Sequence, residues 1–401
     1  MAKISKSSKL QNVCYDIRGP VLREATRLED EGHRVLKLNI GNPAAFDMLT
    51  PDEILQDVIR NLPEAQGYCD SKGLYSARKA IMQDFQLRGV HSVEVDDIYL
   101  GNGVSELIVM AMQGLLNNGD EVLVPAPDYP LWSAAVSLCG GTPVHYVCDE
   151  QADWQPDIAD IKNKVSDKTR AIVVINPNNP TGNVANSDEI DRMISIAEKW
   201  PNCMIVADEI YDELDFTDTQ TSVASRSQSV PIFVLNGVSK VYYAPGWRIG
   251  YMALHDPTNR LGAVRDGIER LLRSRLCAST PAQMGYLAGL TQSRDWMDGY
   301  TQNVLAKRDL CLKRISEIDG LEVQRPGGAF YMFVRLTDPH WAEDDKKFVL
   351  DLLHSEHVLV VHGSGFSKQM GNGHFRLVYL AEPDVLNEAF DRIERFLQYS
   401  R

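Results

Sequence analysis

RAIVVINPNNPTG, residues 170–182, is the stretch on which the fold turns. Ala171 to Ile175 are apolar without alternation, as a strand must be when helices cover both faces of its sheet. The run then breaks on two prolines and three asparagines, a rigid turn at the carboxyl end of a buried strand. In an open parallel sheet that edge is where ligands bind. The same design repeats on either side. Upstream, DDIYLGNG leads into VSELIVMAMQGLL, whose Leu107, Ile108, Ala111, Met112 and Leu115 recur at helical spacing. EVLVP, LWSAAVSLCGG, PVHYV and IADIKNKV follow. Downstream come SDEIDRMISIAEKW, CMIVADE, PIFVLNGVS and RIGYMAL. Residues 46–295 are therefore expected to form one doubly wound α/β domain.

The flanks differ. Residues 1–45 carry a loose arm, a helix (VLREATRLEDEG, closed by Gly32) and one short strand, VLKLNI. Residues 296–401 hold a long charged helix, then LEVQ, AFYMFVRL, KKFVLDLLHSE, VLVV, HFRLVYL and a closing amphipathic helix. Strands interleaved with helices predict a smaller α+β domain, discontinuous because the N-terminal strand completes it. The default site is the cleft between the two domains.

The chain has 401 residues, 41 basic against 55 acidic, for a formal charge of −14. Such a surface repels phosphate backbones and argues against nucleic acid as a partner. No apolar run approaches the ~20 residues of a membrane helix, and MAKISKSSKL lacks the apolar core of a secretory signal. A cytoplasmic enzyme is expected. The seven cysteines are scattered, with no C-x-x-C pair, and read as small packing residues. The histidines offer no ligand set for a metal, and GSGFS lacks the context of a nucleophile elbow.

Four segments resist a purely structural explanation. INPNNPTG is the first. IVADEIYDEL places Asp208 at the end of an apolar strand, where a carboxylate is costly unless it meets a cation or donors. NGVSKVYYAPGWRIGYM sets Ser239 and Lys240 after a strand and Arg248 eight residues on, a candidate Schiff-base lysine beside a phosphate site. GNGVSELI opens a helix directly after a strand, a backbone cradle suited to phosphate. It matches neither G-x-G-x-x-G nor the P-loop. A Schiff-base lysine, a pyridine-facing carboxylate and a phosphate cradle are the parts that pyridoxal phosphate needs.

On these motifs the chain resembles the aspartate-aminotransferase-like (fold type I, class I/II) pyridoxal-phosphate transaminases. Within them it is most similar to the bacterial glutamate–pyruvate (alanine) transaminases, on AQGYCDSKGLYSARKAI and PAPDYPLW. The resemblance runs from NVCYDIRGPV to HFRLVYL. It implies a large domain with a mostly parallel seven-stranded sheet between helices, and ping-pong transamination through a lysine aldimine. Amino acids and 2-oxo acids would be its small-molecule partners. It also implies roles. Lys240 would anchor the cofactor and shuttle the proton, Asp208 would pair with the pyridine nitrogen, and Tyr211 and Asn179 would hydrogen-bond the phenolic oxygen. Tyr129 would stack on the ring. Val104, Ser105, Ser239 and Arg248 would hold the phosphate, with Tyr68 arriving from the neighbouring subunit of a homodimer. Arg376 would take the substrate α-carboxylate as a bidentate fork, and Gly41 would let the backbone approach it. Gly237 departs from the family, many of whose members carry a phosphate-binding serine there.

Glutamate has a distal carboxylate that alanine lacks. The arm NVCYDIRGP holds an arginine and a tyrosine in a segment too polar for core, so Arg18 is expected to meet that carboxylate and Tyr15 to close the pocket. Aspartate or aromatic aminotransferases and a C–S lyase share the cofactor residues and stand as alternatives. A cofactor-sensing regulator would need a DNA-binding domain, for which the N-terminal flank is too short.

Overall fold

The computed structural model describes residues 4–13, 19–217 and 221–399. Its centre is an eight-stranded sheet in the order Ile98–Gly101, Gly250–His255, Ile232–Gly237, Met204–Asp208, Thr169–Ile175, Glu121–Ala126, Thr142–Asp149, Gln155–Pro156. The seven strands expected from the apolar runs are all there, joined at one edge by the two-residue strand Gln155–Pro156. Six strands run parallel; Gly250–His255 is antiparallel to both its neighbours. Helices cover both faces, so Met204–Asp208 and Ile232–Gly237 are buried along their whole length. Burial on both sides is why these runs are apolar throughout.

This topology assembles the site. The parallel strands end together, which brings Gly101, Ala126, Ile175, Asp208 and Gly237 to one edge of the sheet. The reversed strand starts where the others stop, so Arg248, just ahead of Gly250, arrives at the same edge.

A second sheet is antiparallel, in the order Leu321–Val323, Tyr331–Leu336, His374–Val378, Val361–His362. Beside it Leu36–Lys37 pairs in parallel with Val358–Leu359, tying the N-terminal stretch to the C-terminal third. The helices Pro20–Asp30, Trp296–Ser316, Asp345–Glu356 and Pro383–Tyr399 enclose this sheet around a core that includes Phe348, Phe375, Phe390 and Trp341. Among the described residues no helix is long and apolar enough to cross a membrane.

Candidate active site

Asp208 ends its strand fully desolvated, 4% exposed. Its Oδ2 accepts a hydrogen bond from the indole Nε1 of Trp132 at 3.2 Å. Its Oδ1 is buried with no partner in hydrogen-bonding geometry. Burial pushes the carboxyl pKa up to about 6, against the opposing pull of the Trp132 bond, the Ile210 amide and Lys240. A buried acceptor left open beside a cationic side chain suits a protonated ring nitrogen, which would satisfy the oxygen and return the acid to its charged form.

Lys240 sits in the single helical turn Val238–Val241 that follows the strand Ile232–Gly237. Its Nζ donates to the Gly41 carbonyl at 2.7 Å and lies 6.0 Å from the Tyr211 ring centre and 5.7 Å from that of Phe330. The turn before it is held by side chains: Asn236 Nδ2 and Arg88 Nη1 both donate to Asp212 Oδ2, at 2.8 and 2.5 Å. Beneath, Glu209 accepts from the Val223 amide and Ser222 Oγ, and burial raises its pKa to about 7.

The segment read from the sequence as a phosphate cradle centres on Gly103. Its φ is +84°, and a Cβ there would lie 2.4 Å from Arg248 Nη2, so the guanidinium packs directly on the glycine. The helix Val104–Leu115 starts at that point, with Ser105 in its first turn, where the leading amides lack partners within the helix. Arg248 itself is exposed; Nη1 donates to Pro245 O at 2.9 Å and Nη2 to Asn102 O at 3.4 Å. Ser239 lies buried in the Lys240 turn. Gly237 has room for nothing else: a Cβ would meet Ile249 O at 2.6 Å and Gly250 Cα at 2.7 Å across the antiparallel pair. The strand pairing therefore explains the missing serine.

Arg376 comes from the other sheet. Nη1 donates to Asn179 Oδ1 at 2.8 Å and Nη2 to Asn39 O at 2.6 Å. Its guanidinium carbon stands 4.5 Å from the Tyr331 ring centre and 4.8 Å from that of Phe366. The Asn179 turn is locked by Thr181 Oγ1 donating to Asn178 Oδ1 at 3.0 Å, and it packs on the second sheet: a Cβ at Gly182 would touch Pro326 Cβ and Tyr331 O. Tyr211 closes the gap between the two sheets, its hydroxyl 2.9 Å from that of Tyr331. Burial, then the neighbouring Tyr331, holds the Tyr211 pKa well above the ordinary phenol value.

Lys240, Asp208, Tyr211, Asn179, Arg376 and Gly41 thus converge, with Val104, Ser105, Ser239 and Arg248 at one end. Tyr129 is half-buried in the segment three residues beyond the strand Glu121–Ala126, against the core on that face of the sheet. Tyr68 is not part of this constellation: it is 82% exposed. Tyr15 and Arg18 lie outside the described residues. Sequence reading passed over Trp132, Asn39, Tyr331 and Phe366. Trp132 stood in the quoted PAPDYPLW but reads as the core face of a helix, and Tyr331 as one aromatic among several in AFYMFVRL.

The family described as aminotransferase class I and II matches residues 33–393. Glutamate-pyruvate aminotransferase AlaA of Escherichia coli (strain K12) is 51% identical over 401 residues, covering 99% of this chain and 98% of that protein. An alanine aminotransferase of Mycobacterium tuberculosis (strain ATCC 25618 / H37Rv) is 46% identical, over 98% of this chain and 92% of its own length. The solved alanine aminotransferase of Pyrococcus furiosus superposes with a TM-score of 0.95 at 42% identity, covering 99% and 100% of the two chains.

Proposed function

The chain belongs to the class I and II aminotransferases, and from that premise we propose which of its residues perform the reaction. It is a pyridoxal-phosphate enzyme that passes an amino group between L-alanine/pyruvate and L-glutamate/2-oxoglutarate in two half-reactions. One observation carries the site assignment: Asp208, desolvated and with Oδ1 open, lies at the strand edge shared by Lys240 and the Gly103–Arg248 cradle.

Pyridoxal phosphate, when bound, would supply an electrophilic carbon at which the substrate amine replaces the Lys240 amine, and a protonated ring able to take up the electron pair left at the substrate Cα. Lys240 would be the covalent anchor, and its released Nζ would carry the proton taken from the substrate Cα. The Gly41 carbonyl, which accepts from Nζ at 2.7 Å, orients that amine towards the second sheet. Asp208, held in place by Trp132, would keep the ring nitrogen protonated. Tyr211 and Asn179 would hydrogen-bond the ring's phenolic oxygen, and Tyr129 would stack on the ring. The Val104 amide, Ser105, Ser239 and Arg248 would hold the phosphate. Arg376, its fork fixed by Asn179 and Asn39, takes the α-carboxylate in the bidentate manner that a lysine cannot match.

We further propose a cytoplasmic homodimer in which Tyr68 crosses to the partner's phosphate. Leu55, Ile59 and Leu62 support it: they are exposed at i, i+4 and i+7, with Tyr68, Leu49 and Leu276 also uncovered. The distal carboxylate of glutamate is assigned to Arg18, with Tyr15 over it, from the sequence of the arm.

The deciding experiment loads the purified protein with pyridoxal phosphate and adds alanine, glutamate, aspartate, tyrosine and cystathionine one at a time. Alanine and glutamate are expected to convert the chromophore to the pyridoxamine form fastest, reversibly with 2-oxoglutarate. Faster conversion by aspartate or tyrosine overturns the substrate assignment. Ammonia without pyridoxamine overturns transamination in favour of a lyase. In Arg18→Ala the glutamate step should suffer and the alanine step survive; equal damage to both removes Arg18 from the assignment.

A further inference from the structure

We propose that Tyr331 is a positioning residue serving both halves of the site: its hydroxyl donates to Tyr211, strengthening the bond Tyr211 gives to the cofactor's phenolic oxygen, and its ring face supports Arg376. The inference rests on the roles proposed above for Tyr211 and Arg376.

Tyr331 opens the strand Tyr331–Leu336 and pairs with Val378, while Arg376 pairs with Phe333. Residues two apart on a strand share a face, so Tyr331 and Arg376 are diagonal neighbours across the antiparallel ladder. The 4.5 Å separation of guanidinium and ring follows from that register. On its other side Tyr331 meets Tyr211 edge-on, ring centres 5.6 Å apart and planes at 86°, with the hydroxyls at 2.9 Å. Both phenols are nearly inaccessible, at 2% and 3% exposure. Space beside the hydroxyl is so short that a Cβ on Gly41 would collide with Tyr331 Oη. Only a glycine leaves the phenol in place while offering its own carbonyl to Lys240.

Hydrogen-bond arithmetic assigns the donor. A phenol has one hydrogen, so if Tyr211 spends its own on the cofactor oxygen, the contact with Tyr331 has Tyr211 accepting. Accepting a bond polarises the Tyr211 O–H and makes it the stronger donor. Burial holds the Tyr211 phenol well above its ordinary value, so its hydrogen is retained for the cofactor oxygen. The charged or titratable groups facing this pair are Lys240 from the turn after its strand, Asp208 from the neighbouring strand, Arg376 from the second sheet and Tyr300 from the helix Trp296–Ser316.

The test follows the absorbance of the pyridoxal-phosphate-loaded protein against pH, which needs no turnover. A hydrogen bond at the phenolic oxygen favours the deprotonated chromophore, so weakening it raises the midpoint. Tyr331→Phe, which removes one oxygen and keeps the ring, is expected to raise the midpoint by about 0.5–1 pH unit. In a Tyr211→Phe background the same substitution should add nothing, because the relay is already cut. Tyr331→Leu removes the ring face and should raise KM for alanine and for 2-oxoglutarate about tenfold. Thermal melts of each loaded variant confirm folding. An unmoved midpoint in Tyr331→Phe, or the same shift in the Tyr211→Phe background, overturns the proposal. A loaded wild type that gives no pyridoxamine with alanine strikes the transaminase assignment instead, and the midpoint still decides Tyr331.

Discussion

Asp208 shows how one buried side chain binds cofactor chemistry to stability. It titrates at about 6 in the folded chain, against roughly 3.9 in an unfolded one. Between those values the folded state holds the extra proton, so its contribution is fully present at low pH and lost as pH rises through the folded pKa. Above that window the apoprotein carries the cost of a buried, half-satisfied charge. Asp208→Asn removes it. The apo variant is expected to be more stable than the apo wild type at pH 8, by on the order of 1–3 kcal/mol, while its cofactor affinity falls at least about tenfold because the ring nitrogen loses its charged partner. Paired melting curves and a cofactor titration check both halves. An apo variant that melts below the wild type at pH 8 would mean that Asp208 is stabilised by something other than the cofactor.

At the scale of the element, the reversed strand Gly250–His255 matters most. Its start at the ligand edge delivers Arg248 to the first turn of Val104–Leu115 and presses Gly250 against Gly237. Gly237 adopts an extended φ of 171°, open to any residue, so the constraint is space and not conformation. Installing the serine common in the family is therefore expected to harm this chain. Gly237→Ser should lower stability by about 1–3 kcal/mol through overpacking, with no gain in cofactor affinity. A variant that melts like the wild type and binds the cofactor more tightly would show that the two strands can part at no cost.

Over the whole molecule, the exposed row Leu55, Ile59, Leu62 and the outward Tyr68 belong together. A single copy leaves both in water; the proposed dimer would cover the first and give the second a phosphate to meet. Ile59→Glu should convert the dimer to monomer on an ultracentrifuge and reduce cofactor affinity with it. Tyr68→Ala should leave the dimer intact and weaken cofactor binding about tenfold, the worth of one charge-assisted hydrogen bond. Monomeric Ile59→Glu binding the cofactor like the wild type would remove the crossing residue from the site.

The sequence by itself determined what is local in the chain. Apolar runs of unbroken character announced strands buried on both faces. The candidate site residues at their ends, Asp208, Lys240 and Asn179, could be singled out because strand and turn are continuous segments with their own composition. The reversal of Gly250–His255 was not legible, since an apolar run has the same pattern in either direction. Nor were the pairings between distant segments: Arg376 with Asn179, 197 residues apart, Lys240 with Gly41, 199 apart, and Tyr211 with Tyr331, 120 apart. Strand periodicity states which face a side chain takes and is silent on what stands opposite. Tyr331 and Trp132 read as packing aromatics because their polar handles become functional only against a partner from another element. Tertiary structure alone decided those partners, because the register between sheets, and not the order of residues, sets which hydroxyl, indole or guanidinium is left to face the cleft.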